Sequence, residues 1–215
     1  PQAPVKKPGE SRKKGTEIYF KPDPQIFGKG GQFEPDRMLA YYRERAGLAP
    51  KAKGYTGWDG NGRNLTGHIA GHHLSGVSLM YQATGDARFK ERADYIVREL
   101  AEVQKKSGDG YVGALDGLRE AFARLSKGEI KSGSFDLNGL WSPWYTLHKT
   151  YAGLRDAYRH TGNAQALRAG RDVMRPRGVV VQLGLGGDVS LPQNVVVAKE
   201  LTICGSFRFH AEFAL

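Results

Sequence analysis

Between residues 140 and 163 the chain reads LWSPWYTLHKTYAGLRDAYRHTGN, with Trp144, Leu147, Tyr151, Leu154 and Tyr158 recurring at spacings of three and four. That spacing puts them on one face of an amphipathic helix, which a Thr-Gly-Asn turn closes. The ending is used twice. Residues 81–87, YQATGDA, return at an offset of 77 as residues 158–164, YRHTGNA. At the same offset Leu74 falls on Tyr151, Gly76 on Gly153 and Val77 on Leu154. A repeat that keeps its apolar stripe predicts recurring helical hairpins.

The same period predicts a helix that starts at Glu34-Pro35-Asp36 and runs through Met38, Leu39 and Tyr42 to Ala46-Gly47, with proline and acidic residues in its first turn. Residues 50–63 are rich in glycine, proline and asparagine and read as a loop carrying Tyr55, Trp58 and Asp59. Ala70, Leu74, Val77 and Tyr81 stripe a helix over 66–84. Phe89, Ala93, Ile96, Leu100 and Val103, spaced 4, 3, 4, 3, stripe its antiparallel partner over 86–105. Burying such a face contributes roughly 1.5–3 kcal/mol per large side chain. A lone hairpin cannot recover its ordering entropy that way, so the hairpins are expected to stack. Residues 107–111 read as a turn, 118–125 as a shorter helix, 132–134 as part of a polar connection, and 164–167 as the start of another partner helix.

From residue 172 the pattern changes. Val179-Val-Val-Gln-Leu183, bounded by glycines, reads as a buried strand of the parallel-sheet kind. Residues 201–205 read as a second short strand and 211–215 as a first helical turn. Nothing upstream supplies a sheet for these strands to join. The predicted fold is therefore mainly α, an incomplete set of toroid hairpins followed by a short α/β, Rossmann-like piece. Its parts are a flexible basic leader over 1–33, a helical domain over 34–168 and the α/β piece over 171–215.

Composition narrows the function classes. Hydrophobic content of 40% and charged content of 25% suit a folded chain rather than a disordered one. No apolar run approaches the ~20 residues needed to span a bilayer, so no membrane partner is expected. The net charge of +10 raises the question of nucleic acid. Its basic residues are scattered, however, apart from Lys6, Lys7, Arg12, Lys13 and Lys14 beside Pro and Gly. That cluster reads as a solvated arm, and no nucleic-acid partner is expected. The single cysteine, Cys204, excludes an intrachain disulfide and a multi-cysteine zinc site, and leaves the compartment open.

Candidate chemistry gathers at the histidines. His68 and His72 stand one turn apart, the spacing at which zinc sites begin, without the intervening glutamate or an obvious third ligand. His72 beside Trp58 suits a sugar pocket; a packed, hydrogen-bonded histidine is the alternative, as is Trp58 covering helix ends. His148 lies one position out of step with His72 in the repeat, so the two are expected to converge at the same end of successive hairpins. Glycoside hydrolysis commonly needs two carboxyl groups; Asp59, Asp109, Asp116 and Glu120 are available, and none is marked by its neighbours. Gly184-Leu-Gly-Gly187 follows a strand but opens no helix, so it is not a dinucleotide phosphate loop. Cys204 reads as a packed residue rather than a nucleophile.

Five motifs, EPDRMLAYYRERAGLAPKA, YTGWDG, LTGHIAGHHLSGVSLMYQATGD, SGDGYVG and LWSPWYTLHKTYAGLRDAYRHTGN, resemble in order the N-terminal part of the β-L-arabinofuranosidases of glycoside hydrolase family 127. The resemblance covers about 33–168. It implies an (α/α)6 toroid acting on arabinofuranosides, with a zinc-bound cysteine nucleophile and a glutamate acid/base in later helices. It carries over His72, His148, Trp58 and Asp59 as substrate-binding residues, and no catalytic or metal-binding residue.

Residues 171–215 resemble the cofactor domain of zinc-dependent medium-chain dehydrogenases of the L-idonate 5-dehydrogenase kind, a family that uses NAD(P) and zinc. That likeness places Gly184 and Leu185 near the nicotinamide. The joint reading is a truncated hydrolase fused to a dehydrogenase fragment near 167–171. The chain is expected to be inactive alone, to hold no cofactor, and to self-associate through an exposed apolar flank. A polyol dehydrogenase and a non-catalytic carbohydrate-binding helical module are the alternatives.

Overall fold

The computed structural model describes residues 31–62, 65–133, 135–172, 179–183 and 202–206. The described helices are α1 (Pro35–Arg45), α2 (His68–Thr84), α3 (Ala87–Ser107), α4 (Leu118–Leu125), α5 (Pro143–Thr161) and α6 (Ala164–Asp172). A 3-10 turn, Gly57–Asp59, precedes α2. Between α4 and α5 lie three two-residue strands, β1 (Ser132–Gly133), β2 (Asp136–Leu137) and β3 (Leu140–Trp141), paired antiparallel in chain order. The strand pair β4 (Val179–Leu183) and β5 (Thr202–Ser206) is parallel, with Val181 opposite Cys204. The chain is thus mainly helical, as its periodicity predicts. The leader and residues 211–215 lie outside the described residues.

The repeated turn has a physical basis in both copies. Gly85 and Gly162 end α2 and α5 in the left-handed region, at φ +70° and +74°, which glycine enters without a Cβ penalty. The next residue then caps the partner helix: Asp86 Oδ1 accepts from the Arg88 amide at 3.0 Å, and Asn163 Oδ1 from the Ala166 amide at 2.9 Å. Asn163 Nδ2 also donates to Asp94 Oδ1 at 2.6 Å, tying the second hairpin to the first. The partner helix α6 runs to Asp172, where the sequence pattern changes.

The two hairpins stack with α2 against α5, and with α1 and α6 against α3. His72 meets Tyr145, and Leu74 meets Gly153, so the contacts advance in the same direction along both helices. They therefore run parallel, with their N-termini at one end. The approach is close because Gly71 and Gly153 face each other's helix. A Cβ on Gly71 would strike the Lys149 carbonyl and lie 2.7 Å from the Thr150 nitrogen; one on Gly153 would lie 2.7 Å from the Gly71 carbonyl oxygen.

This contact corrects the apolar stripe expected on α5. Its buried residues are Pro143, Thr146, Leu147, Thr150, Gly153, Leu154, Ala157 and Thr161. Leu147 and Leu154 are buried as expected and Tyr151 is half-buried, but Trp144 is 56% exposed and Tyr158 39% exposed. The buried arc is the one bearing small side chains, since only they permit backbone-to-backbone approach. His148, expected at a buried end of this helix, is exposed. The predicted start of the helix at residue 140 is also corrected. Asn138 (φ +51°) and Gly139 (φ +83°) form a tight turn that folds Leu140–Trp141 back on Asp136–Leu137.

Tyr42 of α1 is fully buried at the junction of α2 and α5. Its hydroxyl donates to the Gly67 carbonyl at 2.8 Å and stands 2.6 Å from Thr150 Oγ1. Arg43 clamps α1 to α3 through Glu99 and Glu102, each at 2.8 Å, while Lys51 holds the other Glu99 oxygen at 2.6 Å.

His73 of α2 is stacked on Phe33 with ring centroids 5.5 Å apart. Burial, aided by the Arg92 charge, pushes its pKa down from 6.5 to about 4. The unfolded chain then takes up this proton first as the pH falls from 6.5 to 4. The folded state should lose about 1.4 kcal/mol per pH unit across that window. A His73→Phe variant keeps the stacked ring and removes the proton. Its melting temperature should fall less than that of the wild type between pH 6.5 and 4.5, and equal slopes would refute the assignment.

Candidate sugar-binding site

The end of the stack where α2 and α5 begin is built from the 3-10 turn upward. Residues 65–67 return to that turn. The Leu65 amide donates to the Trp58 carbonyl at 2.7 Å, and Thr66 Oγ1 donates to the Gly60 carbonyl. The α2 N-cap is Gly67, at φ +97° and without a side chain to cap with. Asp59 fills that role from eight residues upstream. Its Oδ1 accepts from the amides of Gly67 at 2.9 Å and Ile69 at 3.2 Å. These are the unsatisfied donors of a helix start, and a carboxylate there also meets the positive end of the helix dipole.

The same carboxylate fixes His68. Nδ1 of His68 lies 3.0 Å from Asp59 Oδ1 and 2.7 Å from the Leu65 carbonyl oxygen. Both neighbours are acceptors, so Nδ1 carries a proton, and Nε2 is left without a hydrogen-bond partner among the described residues. Burial disfavours the charged imidazole, but Asp59 and the Leu65 carbonyl outweigh it and raise the His68 pKa. His72, one turn on, is shifted the other way. Burial lowers its pKa first, and the charges of Lys149, His68 and His148 add to that.

Tyr145 is the hub of the cluster. Its hydroxyl stands 3.0 Å from His72 Nε2. The His68 and His72 rings each lie 6.1 Å from its ring, and Lys149 Nζ stands 4.9 Å from the ring centroid. At the edge, the indoles of Trp58 and Trp141 meet at 5.4 Å with a 56° tilt, and Trp58 is 67% exposed. An open face with two indoles, a tyrosine and polar ring nitrogens suits a ligand that combines apolar faces with hydroxyl groups.

The structure thus brings His72 and Trp58 to one end of the stack, with His148 coupled electrostatically to His72. Asp59 reaches the same end with its side chain only 1% exposed. Gly184 and Leu185 lie outside the described residues. Three members have no assignment from sequence: Tyr145, Lys149 and Trp141. The repeat contains the signal for two of them, since an offset of 77 carries His68 onto Tyr145 and His72 onto Lys149. The signal for Trp141 is the Asn-Gly turn that folds β3 back.

A zinc site is not complete in this cluster, because no group of three His, Cys, Asp or Glu residues is placed to hold a metal among the described residues. Three of the four hydrolysis candidates are also engaged, Asp59 as described, while Glu120 is exposed on α4. Asp109 is paired with Arg119, which holds its pKa below the usual range, and Asp116 lies 3.5 Å from Arg45.

No described helix is long and apolar enough to cross a membrane. A 48-residue segment, 22% of the chain, is 44% identical to one of the subunits of DNA topoisomerase 4 from Caulobacter vibrioides, and the match spans 7% of that protein. The family described as β-L-arabinofuranosidase, GH127 catalytic domain, matches residues 28–173, which takes in α1 to α6 and every member of the Tyr145 cluster. With more than half of its length matched, the chain belongs to the GH127 β-L-arabinofuranosidase family, a family of glycoside hydrolases.

Proposed function

We propose that this chain provides the sugar-binding part of a β-L-arabinofuranoside-directed glycoside hydrolase and binds its sugar without cleaving it alone. The observation that carries the reading is the convergence of two parallel helix starts on Tyr145, where His72 from the first hairpin meets the second at 3.0 Å. Trp58 and Trp141 provide the stacking surface, and His72 and His148 provide polar contacts to ring hydroxyls. Asp59 enters as the group that holds His68 rather than as a sugar contact, because its carboxylate is buried.

Binding without cleavage follows from how the carboxylates are used. Glycoside hydrolysis commonly works through a pair of free carboxyl groups, and the cysteine nucleophile and glutamate acid/base that the family resemblance implies are not carried over to any residue of this chain. Of the four candidate carboxyl groups, Asp59 is committed to the α2 start and Asp109 and Asp116 face arginines, which leaves exposed Glu120 without a second free carboxyl group among them.

Saturation-transfer NMR with a methyl β-L-arabinofuranoside should show contact with the wild-type chain. The His72→Ala, His148→Ala double variant should lose most of that signal, since both side chains are exposed and their removal leaves the core intact. Unchanged transfer in the double variant would refute the site. Nitrophenolate release from p-nitrophenyl β-L-arabinofuranoside should stay at the buffer rate. Release above it would refute the non-hydrolytic part alone.

A further inference from the structure

The groups around Tyr145 are cationic or able to become so. Those that act electrostatically on His72 are Lys149, His68 and His148, with no carboxylate among them. The carboxylate that does reach this end, Asp59, spends Oδ1 on two amides and His68, and its Oδ2 is buried without a hydrogen-bond partner. Its carboxylate is spent on the start of α2 and on His68 and is only 1% exposed. Lys149 forms no ion pair among the described residues and instead lies over the Tyr145 ring. A surface lysine ordinarily reaches into solvent. This one is held over the Tyr145 ring, 4.9 Å from its centroid, close enough for its charge to act on both His68 and His72.

We propose, resting on the sugar-binding reading above, that this face selects a glycan whose sugar carries an anionic group, with Lys149 as its charged contact. The Trp58–Trp141 pair would stack the adjoining ring. Lysine is a compact point charge that suits any anion, so the shared chemistry is negative charge, and both a uronate carboxylate and a sulfate ester provide it. A charge-assisted hydrogen bond is worth roughly 1.5–3 kcal/mol, which corresponds to about tenfold or more in affinity.

Isothermal titration of the whole chain with three disaccharides tests this: a neutral arabinofuranosyl galactoside, the matching galacturonide and the matching galactose sulfate. Both acidic ligands are expected to bind about tenfold tighter than the neutral one at low salt. That advantage should shrink at high salt. A preference confined to the galacturonide would identify the carboxylate as the source, and one shared by the sulfate would identify charge. The advantage should collapse in Lys149→Met and persist in Lys149→Arg. Should Lys149→Met fail to fold, the salt dependence of the wild type still decides. Equal affinity for neutral and acidic ligands, or an advantage that survives in folded Lys149→Met, overturns the inference and leaves sugar binding standing. Binding of none of the three overturns both.

Discussion

Gly71→Ala should destabilise the helical domain by about 4 kcal/mol, the largest effect expected of a methyl group added at any of the described glycines. The added Cβ would strike the Lys149 carbonyl and crowd the Thr150 nitrogen. These are backbone atoms inside a helix, with no rotamer to move to. Either α5 shifts bodily, breaking the Tyr42 contact to Thr150, or the hairpins separate. The matched control is Gly76→Ala on the same helix. A Cβ there meets nothing within 4 Å, so the exchange should stabilise by roughly 0.5–1 kcal/mol through helix propensity and reduced unfolded-state entropy. Urea denaturation of both variants measures the contrast. Similar midpoints would mean that α2 and α5 do not touch through Gly71.

Asp59→Ala should cost about 3 kcal/mol, because it removes a helix cap and leaves His68 without its buried partner. Asp59→Asn keeps an acceptor for the Gly67 and Ile69 amides and should cost less. It separates capping from charge, since without the charge the His68 pKa should fall, as followed by imidazole NMR. The sign of the linked stability follows from the direction of the wild-type shift. The folded-state pKa of His68 lies above its unfolded value of 6.5. Its contribution is therefore fully present below 6.5 and is lost as the pH rises through the folded pKa. Wild type should exceed Asp59→Asn in stability by more at pH 6 than at pH 8. A difference that does not vary with pH would separate Asp59 from His68. His73 acts in the opposite direction below pH 6.5, so the comparison is best made between the two chains at each pH.

Much of the helical framework was legible because helix ends are set by neighbours in sequence. Gly85 and Gly162 end helices by conformation, and Asp86 and Asn163 start the next ones by hydrogen bonds to amides two and three residues on. The ranges 118–125 and 179–183 also match the structure, since a short periodic stretch and a β-branched run each carry a local preference. The opening of α5 was obscured because Asn138-Gly139 lies just before the stretch whose helical period dominates. The hydrophobic scale also failed on that helix. It ranks Trp144 and Tyr158 above Thr146, Thr150 and Gly153, yet the latter three are buried and the two aromatics are exposed.

The site divides along the same line. Motif and repeat name His72, His148 and Trp58 as candidates, and all three are exposed, His148 against the expectation of a buried end. Asp59 was visible as a carboxylate on a loop, but not as the cap of a helix starting nine residues later.

By itself the sequence determined which segments are helical, where hairpins turn and that they recur, because propensity, left-handed glycines and side-chain caps act over a few residues. Only the tertiary structure decided which arc of α5 faces inward, since that depends on backbone contact between Gly71 and Gly153 across an otherwise independent hairpin. It alone turned the Asp59 charge inward and left Lys149 over Tyr145 without a carboxylate partner among the described residues. Such pairings are settled by distance in the folded chain, and spacing along the sequence does not encode them.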